Sequence, residues 1–250
     1  DYQDTIQGTL NKYLKTPRTV MTFGMAGAEM PDYLGTAPLV RDRFSPEWAV
    51  IVITAGDFTR GFRASPGYFE WDVDRSPPIR LVPEIHRSAR AKLLRTVALI
   101  RYARGNLSIR PGELVSLRRG MESVQAAACR PEELSSTDEA LIDSFASALP
   151  EALGLAPARI ILVFDSDRRV LAPGNTSGQP WACPQRGTLA NVRLMEIAAG
   201  AGMHVVDSFP VFQRHVAAGL GPVDRSPIDP HWNSTAHRLM AQEVARIIDP

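Results

Sequence analysis

Four short runs of apolar, largely β-branched residues punctuate the chain, at residues 18–23, 48–54, 159–164 and 203–206. Each is nearly continuous in apolar residues. Runs of this length suit strands of a parallel sheet covered by helices on both faces. Between them the spacing changes to the helical period. Within residues 5–14, Ile6, Leu10 and Tyr13 share a stripe, and residues 84–102 form a long, Arg-rich amphipathic stretch. Residues 131–149 open on a Pro with Glu in the first turn, and residues 189–199 precede the fourth run. The last helix is expected to begin after Asn233 as N-cap, with Ala236, Leu239, Met240, Val244 and Ile247 on one stripe. Strand and helix therefore alternate, which predicts an α/β fold: a three-layer α/β/α, doubly wound parallel sheet. About residues 62–157 lack a clear strand and are rich in Arg and Pro. They read as a helical insertion or lid within a single domain spanning residues 1–250.

Composition narrows the function. The 250 residues are 44% hydrophobic, enough to bury a substantial core. Net charge is only +1, from 28 basic and 27 acidic residues, so there is no general electrostatic case for nucleic acid or an anionic membrane. The longest apolar runs are too short to span a bilayer, so no integral membrane segment is expected. Cys129 and Cys183 occur in no CxxC and have no His at zinc spacing, which argues against a metal knuckle. They either pair across a long loop, worth about 2–4 kcal/mol in an oxidising compartment, or are two separate thiols. The reading leans to the disulfide and hence to a periplasmic or secreted protein. The opening Asp1-Tyr2-Gln3-Asp4-Thr5 has no initiator Met, charged n-region or apolar h-region, and reads as a mature, trimmed or partly observed product.

The segment richest in chemistry is Ile228-Asp229-Pro230-His231-Trp232-Asn233, directly before the terminal helix. An acid two residues before a His, with a rigid Pro between, can fold its carboxylate onto the imidazole Nδ1–H. That fixes the tautomer and leaves Nε2 as a general base. The pair is expected in a loop between strand and helix, where α/β sheets assemble their sites. The bland alternative is that Asp229 caps a turn and His231 packs beside Trp232. Ser166, in Val163-Phe164-Asp165-Ser166, ends a strand and is a weaker candidate nucleophile, because a loop-like stretch follows it where a helix is needed. His237 lies six residues beyond His231, which is not a same-face spacing. His86, His204 and His215 have no partner in sequence and read as surface or core residues. Asn175-Thr176-Ser177 and Asn233-Ser234-Thr235 match a glycosylation triplet too short to be specific. Arg60, Arg63 and Arg168-Arg169 read as solvated surface, with steering of an anionic substrate as the alternative.

Three blocks together resemble the SGNH (GDSL-type) hydrolase superfamily. Asp229-Pro230-His231-Trp232-Asn233-Ser234-Thr235-Ala236-His237 is similar to its final block, in which an Asp and a His serve a Ser nucleophile. Phe23-Gly24-Met25-Ala26-Gly27 resembles the block whose second glycine offers a backbone N–H to the oxyanion. Thr54-Ala55-Gly56-Asp57-Phe58 resembles the block that normally reads Gly-Asn-Asp. The likeness covers about residues 1–62 and 159–250. It implies a flavodoxin-like fold, with Gly27, Gly56 and Asp57 near the substrate. Asp57 also has a plain reading, hydrogen bonding within its turn, which is favoured.

The chain departs from the family in two ways. The nucleophilic Ser belongs to a GDS block ending the first strand, and no such block is present; the resemblance implies that this strand and its Ser lie upstream of residue 1, with genuine loss as the alternative. Gly56 stands where the family uses an Asn oxyanion donor, and losing one such donor costs on the order of 3 kcal/mol. The resemblance implies a serine esterase or O-acyltransferase acting on O-acyl esters, expected to be O-acetyl esters of a carbohydrate or another small molecule, with no metal or cofactor. The rival from another class is a non-catalytic SGNH-like binding or scaffold protein, suggested by the absent Ser and by Gly56.

Overall fold

A computed structural model describes residues 5–25, 27–63, 65, 67–83, 132–166, 171, 185–226 and 229–250. The chain divides into two compact units, Asp1–Val82 with Pro131–Pro250, and Pro83–Arg130. The described residues belong almost wholly to the first unit. The helix expected at residues 84–102, His86, Cys129, Cys183 and Asn175 lie outside them.

The first unit is built on a three-stranded parallel sheet. Its strands are β1 (Ala49–Thr54), β4 (Ile160–Asp165) and β5 (His204–Asp207), in the order β1-β4-β5. Thr54 is in register with Asp165, and Phe164 with Asp207, so the three strands end level with one another. In β4 the pleat sends Ile160, Leu162 and Phe164 to one face and Ile161 and Val163 to the other; all five are fully buried. The continuous apolar run therefore reflects cover on both sides.

Helices supply that cover. On the first face lie α2 (Met30–Phe44), α3 (Ala55–Arg60), α4 (Ser136–Leu153) and α5 (Arg186–Gly200). Leu34, Phe58, Phe145, Leu149 and Leu194 are buried there against Ile53 and Phe164. On the second face lie α1 (Ile6–Leu10), α6 (Ser208–Ala217) and α7 (Ser234–Ile248). Ile6, Leu10, Phe212, Met240 and Val244 pack there against Ile161, Val163 and Val206. Mixed α/β architecture around a parallel sheet thus follows the expected alternation.

Element boundaries follow local chemistry. The helix expected from residue 131 begins at Ser136 because Ser135 and Asp138 cap each other: the Asp138 N–H donates to Ser135 Oγ at 3.2 Å, and the Ser135 N–H to Asp138 Oδ2 at 3.0 Å. It ends at Gly154, which takes a left-handed φ of 65°. Gly187 allows α5 to meet the start of α3, since a Cβ there would lie 1.8 Å from the Ala55 carbonyl oxygen.

Two expectations fail. Residues 18–23 form no strand. Arg18 is fixed by side chains: its N–H donates to Asn11 Oδ1 at 3.0 Å and its guanidinium pairs with Glu47. Met21 and Phe23 stay 53% and 44% exposed. A strand needs a neighbouring edge for its N–H and C=O groups, and among the described residues this run pairs with none. Secondly, the stretch expected to lack strands contains the antiparallel hairpin of β2 (Phe69–Trp71) and β3 (Ile79–Leu81). Strands of three residues are too short for periodicity to mark. The hairpin is held to α2 by the Phe69 N–H donating to Asp32 Oδ1 at 2.7 Å, and it buries Trp71 against Phe58 and Phe145.

Candidate functional site

Two polar corners meet the C-terminal end of the sheet. The first grows from β1. At Thr54 the chain passes directly into α3, and Asp57, 2% exposed, turns back to cap that junction. Four donors converge on its carboxylate. The Thr54 N–H reaches Oδ2 at 2.9 Å and the Thr54 hydroxyl reaches Oδ1 at 2.7 Å. The Tyr33 hydroxyl donates to Oδ2 at 2.8 Å, and Arg60 Nη2 donates to Oδ1 at 2.9 Å. A buried carboxylate so surrounded is a fixed anchor. Burial, reinforced by the Asp57 charge, pushes the Tyr33 phenol well above its ordinary range, so Tyr33 serves as a donor.

Arg60 fills the space beside Gly56. Its Nε donates to the Gly56 carbonyl at 3.2 Å, and a Cβ added at Gly56 would meet Nε and Nη2 at 2.7 Å. Glu29 Oε1 lies 3.7 Å from Arg60 Nε. Burial raises the Glu29 carboxyl to about 7, against the pull of the Arg60 guanidinium. Arg60 is therefore an ordered member of this corner, not the solvated surface residue expected. Gly27 sits in the turn closed by the Ala28 N–H donating to the Met25 carbonyl at 3.1 Å, with φ +79° and nothing within 4 Å of a Cβ position. Its glycine is required by that backbone angle.

The second corner lies over β4 and the second face. Asp229 and His231 sit on a short strand, β7 (Asp229–Trp232), paired antiparallel with β6 (Asp224–Ser226), and not in the open loop expected. The two prolines flanking Asp229 in this segment mask so short a strand in sequence. Asn233 pins the hairpin to the last helix. Its Oδ1 accepts from the Ala236 N–H at 3.0 Å, and its Nδ2 donates to the carbonyls of Pro222 and Asp224 at 2.8 and 3.1 Å. That side chain is committed to structure.

Trp232 links the hairpin to the sheet. Its Nε1–H donates to Asp165 Oδ1 at 2.8 Å, and its ring packs edge-on to Phe212 at 5.6 Å. His231 is consequently exposed in a cleft of about 360 Å³ lined by Val52, Asp165, Arg225, His231, Trp232 and His237. Val52 lies two residues before the end of β1, and Asp165 stands opposite Thr54. The His231 cleft and the Gly56–Arg60 corner thus adjoin the end of the same strand, one on each face of the sheet.

Ser166 is engaged elsewhere. Its hydroxyl donates to Asp207 Oδ1 at 2.5 Å, and its N–H donates to Ser208 Oγ at 3.1 Å. Asp207 also accepts the Phe209 N–H at 2.9 Å, capping α6. Ser166, 7% exposed, therefore ties the ends of β4 and β5 together. His204 stacks on Trp48 at 6.0 Å, and His215 is buried on α6. Among the described residues no group of three His, Cys, Asp or Glu is arranged to hold a metal, and no helix is long and apolar enough to cross a membrane.

Sequence reasoning missed Asp165, Trp232, Tyr33 and Glu29 as members of these corners. Arg60 carried a usable signal, since it lies four residues after Gly56 and three after Asp57, both neighbour spacings on a helix. No protein-family model, curated protein or solved structure matches this chain.

Proposed function

We propose that this chain carries the base, its orienting acid and part of the oxyanion site of an SGNH-type ester hydrolase or O-acyltransferase. The observation that carries the reading is the exposure of His231 in a cleft at the end of β1 and β4, where α3, the helix bearing Gly56 and Asp57, also begins. In this scheme His231 takes the proton of a Ser hydroxyl as its oxygen attacks the ester carbonyl. Asp229 orients the imidazole, and the Gly27 N–H stabilises the tetrahedral oxyanion. His231 then returns the proton to the leaving alkoxide. Water or a sugar hydroxyl resolves the acyl-enzyme, which separates hydrolysis from transfer.

We assign the nucleophile to a Ser on a further strand running along the outer edge of β1. The edge itself supports this. Val50 and Val52 pack against the second core and Ala49 and Ile51 against the first, yet among the described residues β1 pairs only with β4. An apolar strand covered on both faces with one edge unpaired invites another strand. Ser166, spent on Asp207, is a poor substitute.

An O-acetyl ester of an envelope carbohydrate, met by a periplasmic or secreted protein, is the proposed substrate; this rests on the family resemblance. The test is turnover of p-nitrophenyl acetate by the full natural chain beside His231→Ala. Loss of turnover by about 10³-fold or more supports the esterase. Equal rates in both proteins leave the non-catalytic binding reading.

A further inference from the structure

The corner at the end of β1 contains an arrangement that the family pattern does not supply. Gly56 has no side chain to offer a substrate oxygen, and the space that side chain would use is occupied by a guanidinium. A Cβ at residue 56 would lie 2.7 Å from both Nε and Nη2 of Arg60. The guanidinium is held from several sides. Nε donates to the Gly56 carbonyl at 3.2 Å, and Nη2 donates to Thr54 Oγ1 at 3.3 Å and Asp57 Oδ1 at 2.9 Å. Nη1 makes no hydrogen bond among the described residues, and the side chain remains 42% exposed while that of Asp57 is 3% exposed. A planar cation anchored along one edge and open on the other is suited to take an anionic oxygen.

We propose that Arg60 is the oxyanion donor of this site, presenting its Nη1–H groups where other members of the family present an Asn amide from position 56. This rests on the esterase reading above and deepens it. When the Ser oxygen bonds to the carbonyl carbon, the C=O π pair moves onto oxygen and the Ser proton passes to His231. The new negative charge meets a cation already fixed in place, so little reorganisation is needed at the moment of reaction. Gly56 is then a requirement of the device, because any side chain there collides with the guanidinium that replaces it. Glu29, whose burial raises its carboxyl to about 7, is partly protonated near neutral pH and draws less on the Arg60 charge.

A purely structural Arg60 would brace Asp57 and nothing more. Asp57 keeps three other donors without it, from the Thr54 N–H, the Thr54 hydroxyl and Tyr33, so Arg60→Ala is expected to fold. The experiment compares kcat for p-nitrophenyl acetate in the full natural chain, His231→Ala, Arg60→Ala and the double variant Gly56→Asn/Arg60→Ala, with circular dichroism confirming that each is folded. Arg60→Ala should lower kcat about 100-fold, with KM within about threefold, as expected for loss of a transition-state donor. The double variant, which restores an amide to the vacated space, should recover at least about 10-fold of that loss. Bracing alone predicts no such rescue. If wild-type turnover depends on His231 but Arg60→Ala keeps kcat within about threefold, or the double variant is no faster than Arg60→Ala, the Arg60 assignment is overturned and the esterase reading stands. If wild-type turnover does not depend on His231, both fall.

Discussion

Residues 160–164 and 18–23 carry a related signal, a short run rich in β-branched residues, and end in opposite states. The first becomes the central strand β4, paired with β1 and β5 and buried to the last side chain. The second forms no strand, with Met21 and Phe23 exposed and no ladder partner. Intrinsic preference is similar in both runs; the difference lies in neighbours. β-propensity measures how well a side chain fits a pleated, half-buried surface, and that surface exists only where another strand supplies it. The outer edge of β1 shows the complement of this state, an edge without a strand among the described residues.

The largest test of the contrast is Phe164→Ala, which should cost about 3–5 kcal/mol in urea unfolding because it opens a cavity in a fully buried layer. A cost below about 1 kcal/mol would mean that β4 is not a core element. Next is Trp232→Phe, which keeps the ring and removes the hydrogen bond to Asp165 that joins the His231 hairpin to the end of β4. It should cost about 2 kcal/mol, as for a hydrogen bond to a charged group, and should perturb the His231 environment by NMR. An unchanged His231 signal would show that the hairpin is positioned independently of the sheet.

A third, smaller effect concerns pH. Folding raises the Glu29 carboxyl from its ordinary value of 4.5 to about 7, so the folded chain binds this proton more tightly than the unfolded chain. The stability it contributes is fully present below about pH 4.5 and is lost as pH rises through about 7. Glu29→Gln should flatten the stability profile across that window, and an unaltered slope would remove Glu29 from the buried corner. The smallest effect is expected at the exposed Met21, where Met21→Ser should change stability by no more than about 0.5 kcal/mol. A cost like that of Phe164→Ala would show Met21 to be packed rather than exposed.

The sequence made the alternation of strands and helices visible wherever an element was long or covered on both faces. Residues 48–54, 159–164 and 203–206 announced the parallel sheet because both faces of it are buried, and Asn233 announced α7 because an N-cap has a specific side-chain chemistry. Short hairpins stayed hidden: β2–β3 and β6–β7 carry three or four residues per strand, below the length at which a period can be read. Of the candidate site, His231 and Gly56 were legible as residue types in a pattern. Asp165 and Trp232 were not, since their pairing joins residues 67 positions apart, on two strands of different sheets. Arg60 was misjudged for a different reason. An Arg on a short helix reads as surface unless its i−3 and i−4 neighbours are seen to be a buried Asp and a glycine.

The central claim is that the end of β1 is where a Ser from an added strand meets His231. The most direct measurement is mass-spectrometric mapping of the adduct formed when the full natural chain reacts with a fluorophosphonate. The account predicts one labelled Ser, on a segment outside residues 1–250, with labelling abolished in His231→Ala. Labelling at Ser166, or no labelling of a folded full chain, would contradict it.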